Sequence, residues 1–419
     1  MPYRQVVNKF LGFLSGDGVV YAANLAVFAW ILRQLPPDDY GRYSLGRTIA
    51  YWILPLVAMG MNIQGSRLVA AGPRSLQSVV RSAVTLKVLV AALAGALSFV
   101  LFVILKDQEL GFLLLAYVLI YLLFALQLDF VCIGMERPWV LAKSRLLSSL
   151  IFGALVFLFV REKTPVWVIP LLQGIGLLFG LIVQYAFLRE VLSDRPALHV
   201  EHITSLGGLF KSGLLLTGAG FLGTGYYSID KIILGFYFVD ELSVVGDYTA
   251  ATRLIQLAVM PITALLMTVA PKYSHGFISE TSGEFIGAER VYKSGSILFG
   301  LVGALVLLFV GPTVLEFTSG RPMPVVTHTL RIAAIGYLIV GLHSPFTSVL
   351  PFISAEKAYF NLNLVAFLST AVLTMILVPW IGYAGAAVGW TLGILSLLVV
   401  GYPAYQSHRG HALWAKTMK

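Results

Sequence analysis

The sequence predicts an all-α integral membrane protein of about twelve transmembrane helices in two six-helix bundles. Three observations predict it. Hydrophobic residues make up 58% of the 419 positions and charged residues only 12%, with a mean hydropathy of +0.86; a soluble domain carries roughly 25% charge. The apolar residues fall in runs of about 17–25, the length that spans a bilayer as a helix. Finally, the chain repeats itself at an offset of about 205 residues. Tyr40-Gly41-Arg42-Tyr43, then Arg47 and Pro55, match Gly246-Asp247-Tyr248, Arg253 and Pro261, with the same arginine-to-proline spacing. A helix-breaking glycine entry followed by an intramembrane arginine, present in both halves, is the pattern of a transporter built from parallel repeats.

Taken in order, the spans are 11–33, 43–63, 83–105, 111–133, 139–160, 166–188, 212–238, 246–270, 294–316, 328–352, 359–379 and 382–404. They group as an N-terminal bundle (1–190), a linker (191–211) whose Ser193-Asp194-Arg195-Pro196 reads as a turn, a C-terminal bundle (212–405) and a tail (406–419). Residues 1–10 carry Arg4 and Lys9, but no small-residue cleavage site follows the first run, so it reads as a retained helix. Gly134-Met135-Glu136-Arg137-Pro138 after the fourth span and Ser354-Ala355-Glu356-Lys357-Ala358 after the tenth extend the correspondence of the halves.

The net charge of +9 invites a nucleic-acid reading, but the basic residues sit in short loops between apolar runs. With the N-terminus inside, about 19 lysines and arginines, Lys87 among them, face the cytoplasm and about 8 face outward, so positive-inside bias places both termini in the cytoplasm. The single cysteine, Cys132, excludes an internal disulfide and a cysteine metal site. The histidines show no metal-ligand spacing, and His343 reads as a packed, hydrogen-bonded residue. There is no P-loop, Rossmann glycine fingerprint or HExxH, so no cofactor is expected and transport would draw on an ion or substrate gradient.

Gly385, Gly389 and Gly393 make two small-xxx-small steps that predict close packing of the last helix on a neighbour. Pro55, Pro170, Pro261, Pro345 and Pro351 fall inside spans and favour kinks. The ionisable residues within spans are Asp17, Arg47, Asp129, Asp230, Lys231, Arg253, Arg331 and His343, and such groups face a cavity or a partner because lipid does not solvate them. Arg47 and Arg331 lie close enough to the interface to snorkel, so anchoring and function both stay open. Arg253 lies deeper and belongs to the repeat. Asp129 reads as a helix-end residue. Asp230 and Lys231 are about 100° apart around a helix and therefore face different partners. That leaves Asp230 as the proton-carrier candidate, with Arg253 as a moving partner and a structural ion pair as its alternative.

The stretches "LPPDDYGRYSLGRTIAYWILPLVAMG", "SIDKIILGFYFVDELSVVGDYTAATRLIQ" and "VAPKYS" resemble the Wzx-type polysaccharide flippases. Those belong to the superfamily shared with the MATE drug exporters and the peptidoglycan lipid II flippase. The resemblance spans nearly the whole chain, although the lipid II flippases carry two further helices for which this chain has no room. It implies a non-enzymatic inner-membrane transporter that turns an undecaprenyl-pyrophosphate-linked oligosaccharide, such as an O-antigen unit for lipopolysaccharide, toward the outer leaflet. Membrane lipids, a polymerase and a chain-length regulator are the implied partners. Guanidinium groups suit phosphate oxygens, so Arg47, Arg253 and Arg331 become pyrophosphate candidates. Tyr226 and Tyr248, beside Tyr227 and Tyr237, become sugar-stacking candidates or interfacial belt residues, and Asp17, Asp230 and Lys231 become ion-coupling candidates. A drug or cation antiporter shares this fold and calls for an acidic cavity. A membrane polymerase or ligase, the competing enzyme class, calls for a sizeable outer loop, and every outer loop here is short.

Overall fold

The computed structural model describes residues 3–70, 76–193, 206–278, 282–353 and 355–414, with the side chains at 3–17, 192–193, 206–212, 271–278, 282–285, 352–353 and 409–414 outside that description. Among the described residues the regular structure is helical throughout. Each of the twelve expected spans is occupied. Six are single helices: α1 (Tyr3–Gln34), α4 (Leu76–Ile104), α7 (Pro138–Phe159), α8 (Val168–Ser193), α16 (Glu356–Ile381) and α17 (Tyr383–Trp414). Five more are each divided in two. These are α2 (Pro37–Ala58) with α3 (Met61–Ala70), α5 (Gln108–Leu126) with α6 (Asp129–Gly134), and α9 (Leu206–Tyr226) with α10 (Ile229–Tyr237). The others are α11 (Leu242–Ala258) with α12 (Met260–Ile278), and α13 (Ser282–Phe309) with α14 (Gly311–Ser319). The tenth span is α15 (Pro324–Thr347), followed by a 3-10 turn over Leu350–Ile353. Nine helices among the described residues are long and apolar enough to cross a membrane.

The divisions have local causes. Proline at N1 and the acidic first turn Asp38-Asp39 start α2, where the macrodipole favours negative charge. Its end is forced at Met59, which adopts φ 50°, with Gly60 at φ 63°; the left-handed backbone costs a non-glycine residue about 1–2 kcal/mol. Pro261, as expected, sits at a division, since its ring removes a helical hydrogen bond. In α2 and α15 the helix continues past Pro55 and Pro345 and ends within a turn of each. One expectation is corrected. Gly41 and Gly246 are not helix entries but the fifth residues of α2 and α11, and both are buried. The last span also runs further than 404, with α17 reaching Trp414. Of the expected 191–211 linker, 194–205 lie outside the described residues, as do 415–419 of the tail.

The chain forms two compact units, residues 17–224 and residues 225–419 with 1–16. In the first, which we call the N unit, α5 packs on α2, α4 and α8, and α8 on α7. In the second, the C unit, α17 packs on α15 and α16, α13 on α12 and α15, α11 on α15, and α10 on α16. Both units turn large apolar side chains outward, with Leu93 71% and Phe309 71% exposed, an arrangement that requires hydrocarbon rather than water around it.

The glycine stripe meets α16, as its spacing predicts. A Cβ at Gly385 would come within 2.5 Å of the Leu377 carbonyl carbon, and one at Gly389 within 2.8 Å of the Thr374 nitrogen. Only hydrogen fits there, so the two backbones lie in direct contact.

Candidate functional site

The chemistry-bearing residues gather in two clusters, one in each unit. In the N unit, α2 presents Tyr43, Arg47 and Tyr51 at helical i, i+4, i+8 spacing, which stacks them on one face. The Arg47 guanidinium carbon lies 4.4 Å from the Tyr51 ring centroid, a cation–π contact. Tyr117 of α5 meets Tyr51 edge-on with centroids 6.3 Å apart, and Gln173 of α8 donates to the Tyr51 hydroxyl at 2.5 Å. Tyr51 thus covers the half-buried Arg47, with Tyr43 one turn away on the same face of α2 and Tyr117 against the Tyr51 ring. Among the described residues no carboxylate pairs with it.

One turn earlier on α2, Arg42 is fully engaged. It donates to Asp39 Oδ1 at 2.7 Å and to Asp107 Oδ2 at 2.8 Å, while Asp107 also caps α5 by accepting from the Leu110 backbone N–H. Deeper in the unit, the unwound step between α5 and α6 is stitched by side chains. Lys87 donates to the Gln127 carbonyl at 2.8 Å, and Gln184 accepts from Leu128 N–H and donates to Asp129. Asp129 is therefore the helix-end residue expected, also paired with Arg145 at 3.4 Å. Lys87, counted from sequence among the cytoplasmic loop cations, is instead 4% exposed within α4. It falls inside the expected 83–105 span, near its cytoplasmic end, where a basic residue is readily counted with the loop.

In the C unit the break at Tyr227-Ser228 arranges the charges. The helix does not continue through it, so among the described residues the Tyr227 carbonyl has no backbone partner, and the Lys231 ammonium donates to it instead. Helical side chains lean toward the N-terminus, and the folded-back lysine also lies 3.3 Å from Asp230 Oδ1. Tyr248 of α11 donates to Asp230 Oδ2 at 2.6 Å. Asp230 is 0% exposed and Lys231 4%. The expectation that these neighbours face different partners is thus corrected: the lysine stem curls back and the two ions form one buried group. Asp230 already holds Lys231 and Tyr248, and Tyr248, fully buried, presents no face to a sugar.

The remaining candidates are dispersed. Arg253 is half-buried on α11, and Arg331 is exposed on α15. Tyr226 is buried at the end of α9 with its ring 4.3 Å from that of Tyr227. Asp17 lies on α1 with its side chain outside the described residues. A pair that the sequence reading missed holds the N-terminal part of α11, next to Tyr248: Arg321, after α14, donates to both oxygens of Asp247, at 2.5 and 3.3 Å. Its signal was in the repeat, where Asp247 stands in line with Arg42.

Residues 6–277 match the family model described as "Polysaccharide biosynthesis protein". No curated protein matches. Among solved structures, the chain is similar to a multidrug resistance MATE family transporter of the MOP superfamily, in its inward-facing conformation. The TM-score is 0.76 at 12% identity, over 94% of this chain and 95% of that one. It is similar also to a MOP superfamily transporter from Pyrococcus furiosus, whose description cites a binding pocket of reversed polarity (TM-score 0.70, 14% identity, 98% and 96% covered). A third is the Vibrio cholerae MATE transporter VcmN in its bent form (TM-score 0.64, 13% identity, 99% and 98% covered). These likenesses establish a MATE-like membrane-transporter fold.

Proposed function

The chain belongs to the polysaccharide biosynthesis protein family, and from that premise we propose that it transports an undecaprenyl-pyrophosphate-linked oligosaccharide from the cytoplasmic to the outer leaflet of a bacterial cytoplasmic membrane. Both termini would lie in the cytoplasm, and a polymerase and chain-length regulator would take over the delivered unit.

The observation that carries this reading is Arg47. An intramembrane guanidinium costs roughly 2.5–3.5 kcal/mol near the centre of a bilayer helix, and this one is held on Tyr51 with no carboxylate among the described residues to offset it. Other buried cations here have acceptors: Lys231 has Asp230, and Lys87 has the Gln127 carbonyl. A planar, permanently charged fork held on a tyrosine ring favours an anion with paired oxygens, as in pyrophosphate. It disfavours a cationic drug, so the antiporter reading is second.

The test is turnover of a fluorescent undecaprenyl-pyrophosphate oligosaccharide in vesicles. Arg47→Ala should lower turnover at least tenfold at equal insertion, and Arg47→Lys should restore it in part, keeping the charge but not the fork. Undiminished turnover by the alanine variant removes Arg47 from the mechanism.

A further inference from the structure

The C unit encloses a cavity of about 230 Å³ among α9, α12, α13, α15, α16 and α17. Many times the roughly 10–15 Å³ that one water requires, this volume suits a single sugar ring and not a chain of them. Its lining is unusual for a transmembrane bundle. Hydroxyl, amide and imidazole groups come from Tyr226, Tyr227, Tyr292, His343, Tyr359 and Asn363, with no Asp, Glu, Lys or Arg among the described lining residues.

His343 supplies an independent observation. It is 4% exposed, and its Nδ1 is fixed by Thr347 Oγ1 at 2.9 Å. Among the described residues its buried Nε2 has no hydrogen-bond partner. A buried polar atom is normally satisfied, and this one belongs to a side chain that lines the cavity. Asn363 is oriented by donating its Nδ2 to the Tyr359 carbonyl at 2.8 Å. The rings of Tyr226 and Tyr227, with centroids 4.3 Å apart, add an aromatic wall to the lining, and Trp390 backs Tyr227 from outside it at 6.2 Å. Directional polar groups together with an aromatic face, and no ion, match the two faces of a pyranose: hydroxyls around the edge and C–H groups on the flat.

We propose that this cavity is a binding site for one neutral sugar ring, so that the C unit reads the carbohydrate of the cargo. The site lacks the charge to hold pyrophosphate, and its size admits one residue of an oligosaccharide. It rests on the transport reading only for the source of the sugar; binding itself is independent of Arg47.

Saturation-transfer NMR on the full chain in nanodiscs, with glucose, galactose, N-acetylglucosamine and rhamnose as probes, tests it. At least one probe should bind saturably. His343→Leu, which keeps bulk and removes Nε2, should weaken that binding at least tenfold. Leu397→Trp, which fills the cavity from an apolar wall and touches no polar group, should do the same and keeps the test open where the histidine variant fails to fold. Arg47→Ala should leave sugar binding unchanged. Absence of binding by all four sugars, or binding indifferent to both His343→Leu and Leu397→Trp, overturns the proposal and leaves the cavity to water. Sugar binding with pyrophosphate-lipid turnover insensitive to Arg47→Ala would sink the transport mechanism and spare this site; the converse would sink this site alone.

Discussion

Two ion pairs, one in each unit, occupy the same place with opposite signs. In the N unit Arg42, between Gly41 and Tyr43 on α2, reaches Asp107 ahead of the fourth span. In the C unit Asp247, between Gly246 and Tyr248 on α11, receives Arg321 ahead of the tenth. The fourth and tenth spans correspond in a six-plus-six repeat, so the clip is shared and only its polarity is exchanged. Both halves need a closed pair at that position, whereas the sign carries no weight for closing it. The neighbouring tyrosines do differ. Tyr43 stands one turn from an arginine that has no carboxylate among the described residues, while Tyr248 is bound to a carboxylate already neutralised by Lys231. The halves share their scaffold charges and diverge in the charge left available.

The comparison breaks most visibly at Lys231. Removing it as Lys231→Met strands Asp230 in a fully buried site, and a buried charge stripped of its partner costs about 3–5 kcal/mol. Denaturant unfolding in detergent should show that loss, and Asp230→Asn with Lys231→Met should recover most of it. A lysine variant as stable as the parent would mean the two ions are not a unit.

Next in size is the polarity exchange itself. Asp247→Arg sets two guanidinium groups against each other and should cost about 2 kcal/mol, less than a fully buried clash because Arg321 is about a third exposed. The double exchange Asp247→Arg with Arg321→Asp copies the sign of the N unit and should return stability to within about 1 kcal/mol. If the double variant is no better than the single, polarity matters to the C unit and the equivalence fails.

Arg42→Ala should have a smaller effect, about 1 kcal/mol or less, because its partners Asp39 and Asp107 are partly solvated. Smallest of all is the stability effect of Arg47→Ala. With no carboxylate among the described residues to orphan, its melting temperature should match or slightly exceed that of the parent, although turnover falls at least tenfold. A marked destabilisation would make Arg47 a structural residue like the others.

The twelve spans were legible because hydrocarbon imposes length and apolarity on every one of them. Breaks marked by glycine or proline, at Gly60 and Pro261, left a trace in the sequence. The step at Gln127-Leu128 did not, because side chains distant in sequence, Lys87 and Gln184, satisfy its backbone. The site was legible as a composition and not as a set of pairings. Asp230, Lys231 and Tyr248 were all singled out, but angular position on a helix ignores a flexible four-carbon stem, which let Lys231 fold back on Asp230. Arg42 and Asp107 lie 65 residues apart, and only the folded chain brings them together.

The contact between α16 and α17 has a mechanical consequence. Over the stretch of Gly385 and Gly389 the two backbones touch, with only the short Thr374 side chain beside the contact. Such a joint has little slack: a displacement imposed on one helix arrives at the other nearly undiminished. The pair therefore acts as a single stiff strut, and elastic give in the C unit must come from its divided helices, at the steps after Tyr226, Ala258 and Phe309.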